Sequence, residues 1–241
     1  MNKTTHILIT AGPTHERIDD VRYLANRSSG RMGIALTQAA LDAGCDVTLL
    51  LGPVAIPRER IAELAEHRRD AGATGRDRQE VGATGRLRVE RFESTADLER
   101  LLESNFLACD VLIMAAAVAD YRPAVQVAGK LPRKGDKFVL ELEPTPDLVA
   151  GCVARRRPGQ RIIAFALEEP GSLTQRATEK MRAKGVDAIV ANPLATMGSE
   201  TVTATVYTSA GQTFAPDPPS ADKQTFATWL VRWILTNISE P

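Results

Sequence analysis

The chain is poor in the residues that build metal centres and disulfide frameworks: 241 residues contain three cysteines and three histidines. Cys45, Cys109 and Cys152 are odd in number and widely spaced, which argues against a disulfide scaffold and for a reducing compartment; each reads as a small core residue. His6, His15 and His67 fall in no paired His/Cys spacing, so a transition-metal site built by the protein is not expected. Net charge is absent too, with 30 Lys plus Arg against 30 Asp plus Glu, so nothing points to nucleic acid or an anionic membrane surface as partner. No apolar run approaches the ~18 residues of a membrane span, and the apolar part of "MNKTTHILIT" is too short for a signal peptide. These absences describe a cytoplasmic protein of enzyme size with no membrane or nucleic-acid partner. Nucleotide-binding signatures are missing as well: no G-x-G-x-x-G follows Thr10, no acid follows the second apolar run where a ribose would be held, and no Walker A loop occurs.

What is present is an alternation of short β-branched runs with longer amphipathic segments. Strands are expected at His6–Thr10, Asp46–Leu51, Arg88–Phe92, Asp110–Ala115, Arg161–Ala166 and Asp187–Ala191. Helices are expected at Met32–Gly44, Ser94–Phe106, Asp147–Arg156 and Ser172–Gly185. Ser94 with Asp97 has capping-box spacing, and Gly44 and Gly185 stand where helices stop. The pattern is that of an α/β, doubly wound, Rossmann-like and mostly parallel sheet with helices on both faces, the whole of 1–241 forming one domain. Two stretches interrupt it. From Arg68 to Arg86 the chain is polar, rich in glycine and repeats "GATGR", which reads as a mobile insertion. Near the C-terminus "TVTATVYTS" (Thr201–Ser209) alternates like a half-buried strand; it is expected to pair with "DKFVLEL" (Asp136–Leu142) as a small antiparallel subsheet or dimerisation arm. A closing helix over Ala221–Asn237 brings Phe226, Trp229, Leu230 and Trp233 to the core.

Doubly wound sheets bind ligands beyond the carboxyl ends of their strands. Polar residues gather there. "NRSSGRMG" (Asn26–Gly33) sets glycines and hydroxyls just before a helix, where exposed backbone N–H groups receive phosphate. "MAAAVADYRP" (Met114–Pro123) offers three alanines that let a flat group approach the backbone, followed by Asp120 and Arg122. "GKLPRKGD" (Gly129–Asp136) is a basic, proline-broken loop, "PTPDLV" (Pro144–Val149) opens a helix, and "AFALEE" (Ala164–Glu169) ends a strand. Lys180 and Lys184 lie four apart on one helical face. Singly these residues have ordinary readings as core, caps or solvated face. Together they describe a pocket with a flat niche, an acid for an exocyclic amine, and cations for a polyphosphate.

The combination "ITAGPTxExIDxVRYxxNRSSGRMG", "AAAVADYRP", a lysine ten residues after that Asp, "PTPDLV", "FALE" and "K…K-x-x-D-x-IVAN" resembles phosphopantothenate–cysteine ligase, the phosphopantothenoylcysteine synthetase of coenzyme A biosynthesis. The resemblance runs from His6 to about Trp233 outside the Arg68–Arg86 insertion. It implies that 4′-phosphopantothenate and L-cysteine are joined through an acyl-cytidylate with CTP (ATP in eukaryotic relatives) and Mg2+, whose ligands stay unassigned. Carried over by position, Met114, Ala115 and Ala116 would surround the base, and Asp120 would contribute to nucleotide binding. Pro146, Asp147, Leu148 and Val149 would offer helix amides to the triphosphate, with Phe165 packed nearby and Lys180 and Lys184 neutralising charge. Lys130 would act from a flap, and Asn26 would contact the activated carbonyl. Ser28, Ser29, Gly30, Arg31, Met32 and Gly33 would hold the phosphate of phosphopantothenate. The resemblance also implies a homodimer and, with the chain opening at the synthetase strand, a separate flavin-dependent decarboxylase. Two departures stand out: Pro132 within the flap, and Glu169 where threonine is common. The alternatives are a nicotinamide- or flavin-dependent reductase on the same fold, which the missing fingerprints disfavour, and an inert nucleotide binder, which would not need a flap lysine.

Overall fold

The computed structural model describes residues 3–66, 86–133, 135, 137–196 and 198–237. The first apolar run forms β1 (His6–Ala11), and the long segment after it folds into a hairpin of β2 (His15–Arg17) and β3 (Tyr23–Ala25) before α1 (Arg31–Asp42). Next come β4 (Asp46–Leu51), α2 (Arg58–Glu66), β5 (Leu87–Arg91), α3 (Thr95–Asn105) and β6 (Val111–Met114). A second small hairpin joins β7 (Tyr121–Pro123) to β8 (Leu142–Pro144), and α4 (Leu148–Ala154), β9 (Arg161–Glu168), α5 (Leu173–Lys184) and β10 (Ala188–Pro193) follow. The chain closes with β11 (Thr201–Thr203), β12 (Thr205–Thr208), β13 (Thr213–Phe214), β14 (Ser220–Asp222) and α6 (Lys223–Asn237).

Six parallel strands run in the order β5-β4-β1-β6-β9-β10, and β12 and β13 extend the β10 edge antiparallel. Successive strands step outward from β1 on one side and then, from β6, on the other, so the order reverses between β1 and β6. Both faces are covered. Along β1, Ile7, Ile9 and Ala11 pack with α1 and α6, through residues such as Leu36, Phe226 and Leu230. Leu8 points the other way, into a layer holding Leu98 and Leu102 of α3, Cys152 of α4 and Met181 of α5. The period-2 alternation of buried strands thus serves two helical layers.

The six expected parallel strands are all present, and the Ser94–Asp97 capping box forms: the Asp97 amide donates to Ser94 Oγ at 3.2 Å and the Ser94 amide to Asp97 Oδ2 at 2.9 Å. Gly185, at φ 67°, ends α5. Phe226, Leu230 and Trp233 are buried, as expected of core. The Arg68–Arg86 insertion lies, up to residue 85, outside the described residues.

One pairing differs from expectation. Thr201–Ser209 is not a single strand partnered by Asp136–Leu142: β11 pairs with β14, and β12 pairs with β10. Ala204 separates the two, and β12 buries Val206, Tyr207 and Thr208 against the otherwise open β10 edge. An open main-sheet edge offers more backbone partners and more apolar contact than a short exposed segment does. Residues 137–141 carry no strand, and Phe138 and Val139 stand 66% and 80% exposed. Helix α2 has no counterpart in the sequence reading; among its described side chains Ile61 and Leu64 are buried in the core, and five of its nine residues are charged, which weakens the apolar pattern.

Candidate active site

A cavity of about 620 Å3 opens at the carboxyl ends of β1, β6, β9 and β10, at the point where the strand order reverses. One wall is the turn from Asn26 through Ser28, Ser29 and Gly30 into the first turn of α1, with Arg31, Met32 and Gly33. Gly30 takes a left-handed φ of 71° to start the helix, with no side-chain cap and no acid in the first turn, so the opening amides are left for a ligand. Gly33 is required by packing: a Cβ there would lie 2.2 Å from Ala11 Cβ, so α1 sits directly on the end of β1.

The floor is the segment after β6. Met114, Ala115 and Ala116 line it, and the Ala116 amide donates to Thr10 Oγ1 at 3.1 Å, fixing the small residues against β1. The Asn26 side-chain amide donates to the Val118 carbonyl at 2.8 Å. Asp120 lies where this cavity meets a smaller one of about 150 Å3, which is lined by Pro146, Asp147, Leu148 and Val149.

The opposite wall holds Phe165, Lys180 and Lys184. Each lysine is held by a carboxylate. Lys180 Nζ lies 2.5 Å from Glu168 Oε1 as an ion pair, and the Glu168 side chain is only 3% exposed. Lys184 Nζ sits 3.2 Å from Asp147 Oδ2. Asp147 also caps α4, accepting from the Ala150 amide at 3.0 Å. Burial acts to raise its pKa, but the Ala150 amide and Lys184 outweigh that and lower it. The first amides of α4 are therefore partly taken by the protein's own carboxylate.

The long segment between β1 and α1 is anchored at both ends of its hairpin. Glu16, buried, accepts from the Thr95 amide at 2.8 Å and the Thr95 hydroxyl at 2.7 Å at the start of α3, and Thr14 Oγ1 accepts from the Ala119 amide at 3.0 Å. The turn of the hairpin, from Ile18 to Arg22, bonds to the loop that carries Lys130.

Of the residues to which the resemblance gives a site role, Lys130 alone lines neither cavity; it is exposed on its loop. Arg122, noted beside Asp120, also lies outside both cavities and pairs with Glu143 at 2.7 Å. Arg31 lines the cavity, but its guanidinium is paired with Glu200. The structure adds Asn192 at the end of β10, Thr196, Gly198, Val202 and Lys223. Asn192 stood in the quoted "IVAN", at a strand end where ligands bind; the others come from a C-terminal segment whose return to the sheet has no sequence signal. Among the described residues no three His, Cys, Asp or Glu side chains converge on a metal position. No helix among them is long and apolar enough to cross a membrane.

Fold and site together define a doubly wound α/β domain with a cavity at its switch point, lined by an uncapped helix start and two lysines. Matched over residues 2–73 and 63–238, the chain belongs to the family described as the DNA/pantothenate metabolism flavoprotein C-terminal domain. It is 35% identical over 193 residues to a prokaryotic protein named cysteine/cysteine sulfinic acid decarboxylase, covering 80% of this chain and 47% of that one. It is 31% identical over 207 residues to the coenzyme A biosynthesis bifunctional protein CoaBC of Bacillus subtilis (strain 168), covering 84% and 44%. The chain thus spans about half the length of the curated relatives it matches. A crystal structure of the C-terminal domain of a CoaBC protein aligns with a TM-score of 0.68 at 29% identity, covering 98% of this chain and 94% of that one. The family resemblance drawn from the motifs is borne out at this level.

Proposed function

We propose that this domain is a phosphopantothenate–cysteine ligase that activates its acid with a nucleoside triphosphate, CTP in preference to ATP. The pantothenate carboxylate attacks the α-phosphate, the α–β phosphoanhydride bond breaks and pyrophosphate leaves. The cysteine amine then attacks the acyl carbon of the acyl-cytidylate, CMP departs and the amine loses its proton, giving the amide. The observation that carries this reading is the placement, on facing walls of one cavity, of an uncapped glycine-serine helix start and two lysines, with the alanine floor between them. That arrangement supports binding two anionic ligands side by side, and a volume of about 620 Å3 suits ligands of this size. Catalysis in such a site is positioning and charge neutralisation.

In this reading Asn26 donates to the activated carbonyl, and the Ser28–Gly33 turn takes the phosphate of phosphopantothenate. Met114, Ala115 and Ala116 face the base, Asp120 and Pro146 to Val149 border the nucleotide, and Lys180 and Lys184 neutralise its phosphates, with Lys130 brought in from its loop during turnover. Mg2+ in nucleotide sites keeps phosphate and water ligands with one or two carboxylates. The described residues fit that mode rather than a protein cage, with Asp120 as the candidate ligand, since Asp147 is engaged by Lys184 and α4. Such a cation would neutralise the departing pyrophosphate. Homodimerisation belongs to the same reading and is supported by the exposed Phe138 and Val139. So does a decarboxylase acting on the product, supported by the similarity to bifunctional CoaBC proteins.

The test is pyrophosphate release with 4′-phosphopantothenate and Mg2+, with CTP or ATP, with and without L-cysteine. Cysteine-dependent turnover with CTP preferred is expected; tight nucleotide binding without release from either nucleotide would overturn the reading in favour of an inert binder.

A further inference from the structure

The loop that carries Lys130 follows β7 and, among its described residues between 124 and 141, has no helix or strand of its own. Its root is nevertheless pinned on both sides of Lys130. The Gly129 amide donates to Asp20 Oδ2 at 2.7 Å, and the Gly129 carbonyl accepts from the Asp20 amide at 3.0 Å. The Leu131 amide donates to Asp19 Oδ2 at 3.0 Å, and the Leu131 carbonyl accepts from Arg22 Nη2 at 2.7 Å. One residue upstream of this cluster, the Ile18 carbonyl accepts from the Val127 amide at 3.1 Å.

Asp19 stands at the centre, with a side chain 0% exposed, and its two oxygens have separate tasks. Oδ1 accepts from the amides of Val21 and Arg22, at 2.9 and 2.7 Å, and so builds the hairpin turn. Oδ2 accepts from the Leu131 amide and lies 2.6 Å from the Arg22 guanidinium, so it ties the loop to that turn. A carboxylate built only to make a turn would not need the second set. We propose that Asp19 is a positioning residue that fixes the root of the Lys130 loop through Oδ2, setting where Lys130 stands during turnover. The proposal rests, for its kinetic part, on the role given to Lys130 above.

The division of labour between the two oxygens supplies the test. In Asp19→Asn the amide oxygen can keep the turn at Oδ1, while the new NH2 at the Oδ2 position meets two donors and releases the loop. The readout that needs no substrate is trypsin cleavage after Lys130 in the native full-length chain, followed by mass spectrometry, with the thermal midpoint measured alongside. Loss of a hydrogen bond to a charged acceptor, with opening in rapid equilibrium, raises that cleavage by about tenfold or more. Asp20→Ala, on the exposed neighbour, is expected to raise it severalfold and carries the test if Asp19→Asn does not fold. Unchanged cleavage in the folded variants overturns the proposal even if the ligase reading stands. In the amide-forming assay Asp19→Asn is expected to lower kcat with nucleotide KM unchanged. The Asp19→Asn/Lys130→Gln pair should then be no slower than Lys130→Gln alone, and additive losses overturn the coupling. A chain without ligase activity would sink the function proposed above while leaving the cleavage result to be read.

Discussion

Asn26 and Val118, 92 residues apart, are joined by a 2.8 Å hydrogen bond from the Asn26 amide to the Val118 carbonyl. The bond ties the serine-glycine turn to the alanine floor and presents the amide at the mouth of the cavity. Asn26→Asp places a carboxylate against that carbonyl and removes the donor. Nucleotide affinity should persist while amide formation falls by about 10²–10³-fold, the scale for one oxyanion donor. Calorimetric titration and pyrophosphate release measure the two, and wild-type turnover would remove Asn26 from the chemistry.

Lys180 and Glu168 provide a second test, because the carboxylate is buried and the lysine half-exposed. Lys180→Ala leaves that charge without its near partner, so a stability loss of about 1–3 kcal/mol is expected, below the fully buried case because water reaches the lysine. Nucleotide KM should rise about tenfold. Pairing Lys180→Met with Glu168→Gln should restore the thermal midpoint and leave the KM defect, separating charge burial from ligand binding.

Gly33→Ala sets a methyl group 2.2 Å from Ala11 Cβ, well inside contact distance. Either α1 lifts from β1 or the variant loses about 1–3 kcal/mol or more, and the Ser28–Gly33 turn, proposed above to take the substrate's phosphate, moves with the helix. Urea unfolding and phosphopantothenate KM should change together. A stable Gly33→Ala with native KM would contradict the packing described here.

Acid should weaken the fold in a defined window. Burial acts to raise the pKa of Asp19, but the amides of Leu131, Val21 and Arg22 and the Arg22 guanidinium prevail and hold it at about 2. Burial likewise opposes, and the His6 amide, Lys3 and Arg157 override, at Asp110, also about 2. A pKa depressed by folding contributes stability that is complete above the unfolded value of 3.8 and is lost as pH falls through the folded value. The contribution of these two carboxylates should therefore be level from neutral pH to about 5 and decline from about 4 toward 2. Asp110→Asn should flatten that decline; an unchanged acid limb would refute the assignment.

Much of this architecture was legible because each parallel strand is a short β-branched run between turn residues, so its existence needed no tertiary information. Partnership was less legible. Alternation in Thr201–Ser209 shows which face is buried but not which neighbour receives it, and the vacant edge of β10 decided that. The pocket walls were legible where residue types repeat a known chemistry, as at Ser28–Gly33 and Lys180–Lys184. Asp19 was not, because its function depends on Leu131, 112 residues away, and an Asp in a turn has a sufficient local explanation. The capture of Arg31 by Glu200 was hidden for the same reason.

The three thiols are all buried. Burial pushes Cys109 up to about 12 and Cys152 to about 11, and raises Cys45 as well. Exchange with a disulfide requires an accessible thiolate, so free cysteine and its oxidised dimer find nothing on this surface to form a mixed disulfide with. In the ligase reading proposed above, cysteine enters through its amine and meets no reactive thiol on the protein, so a shift toward oxidising conditions would deplete that substrate before it disabled the protein.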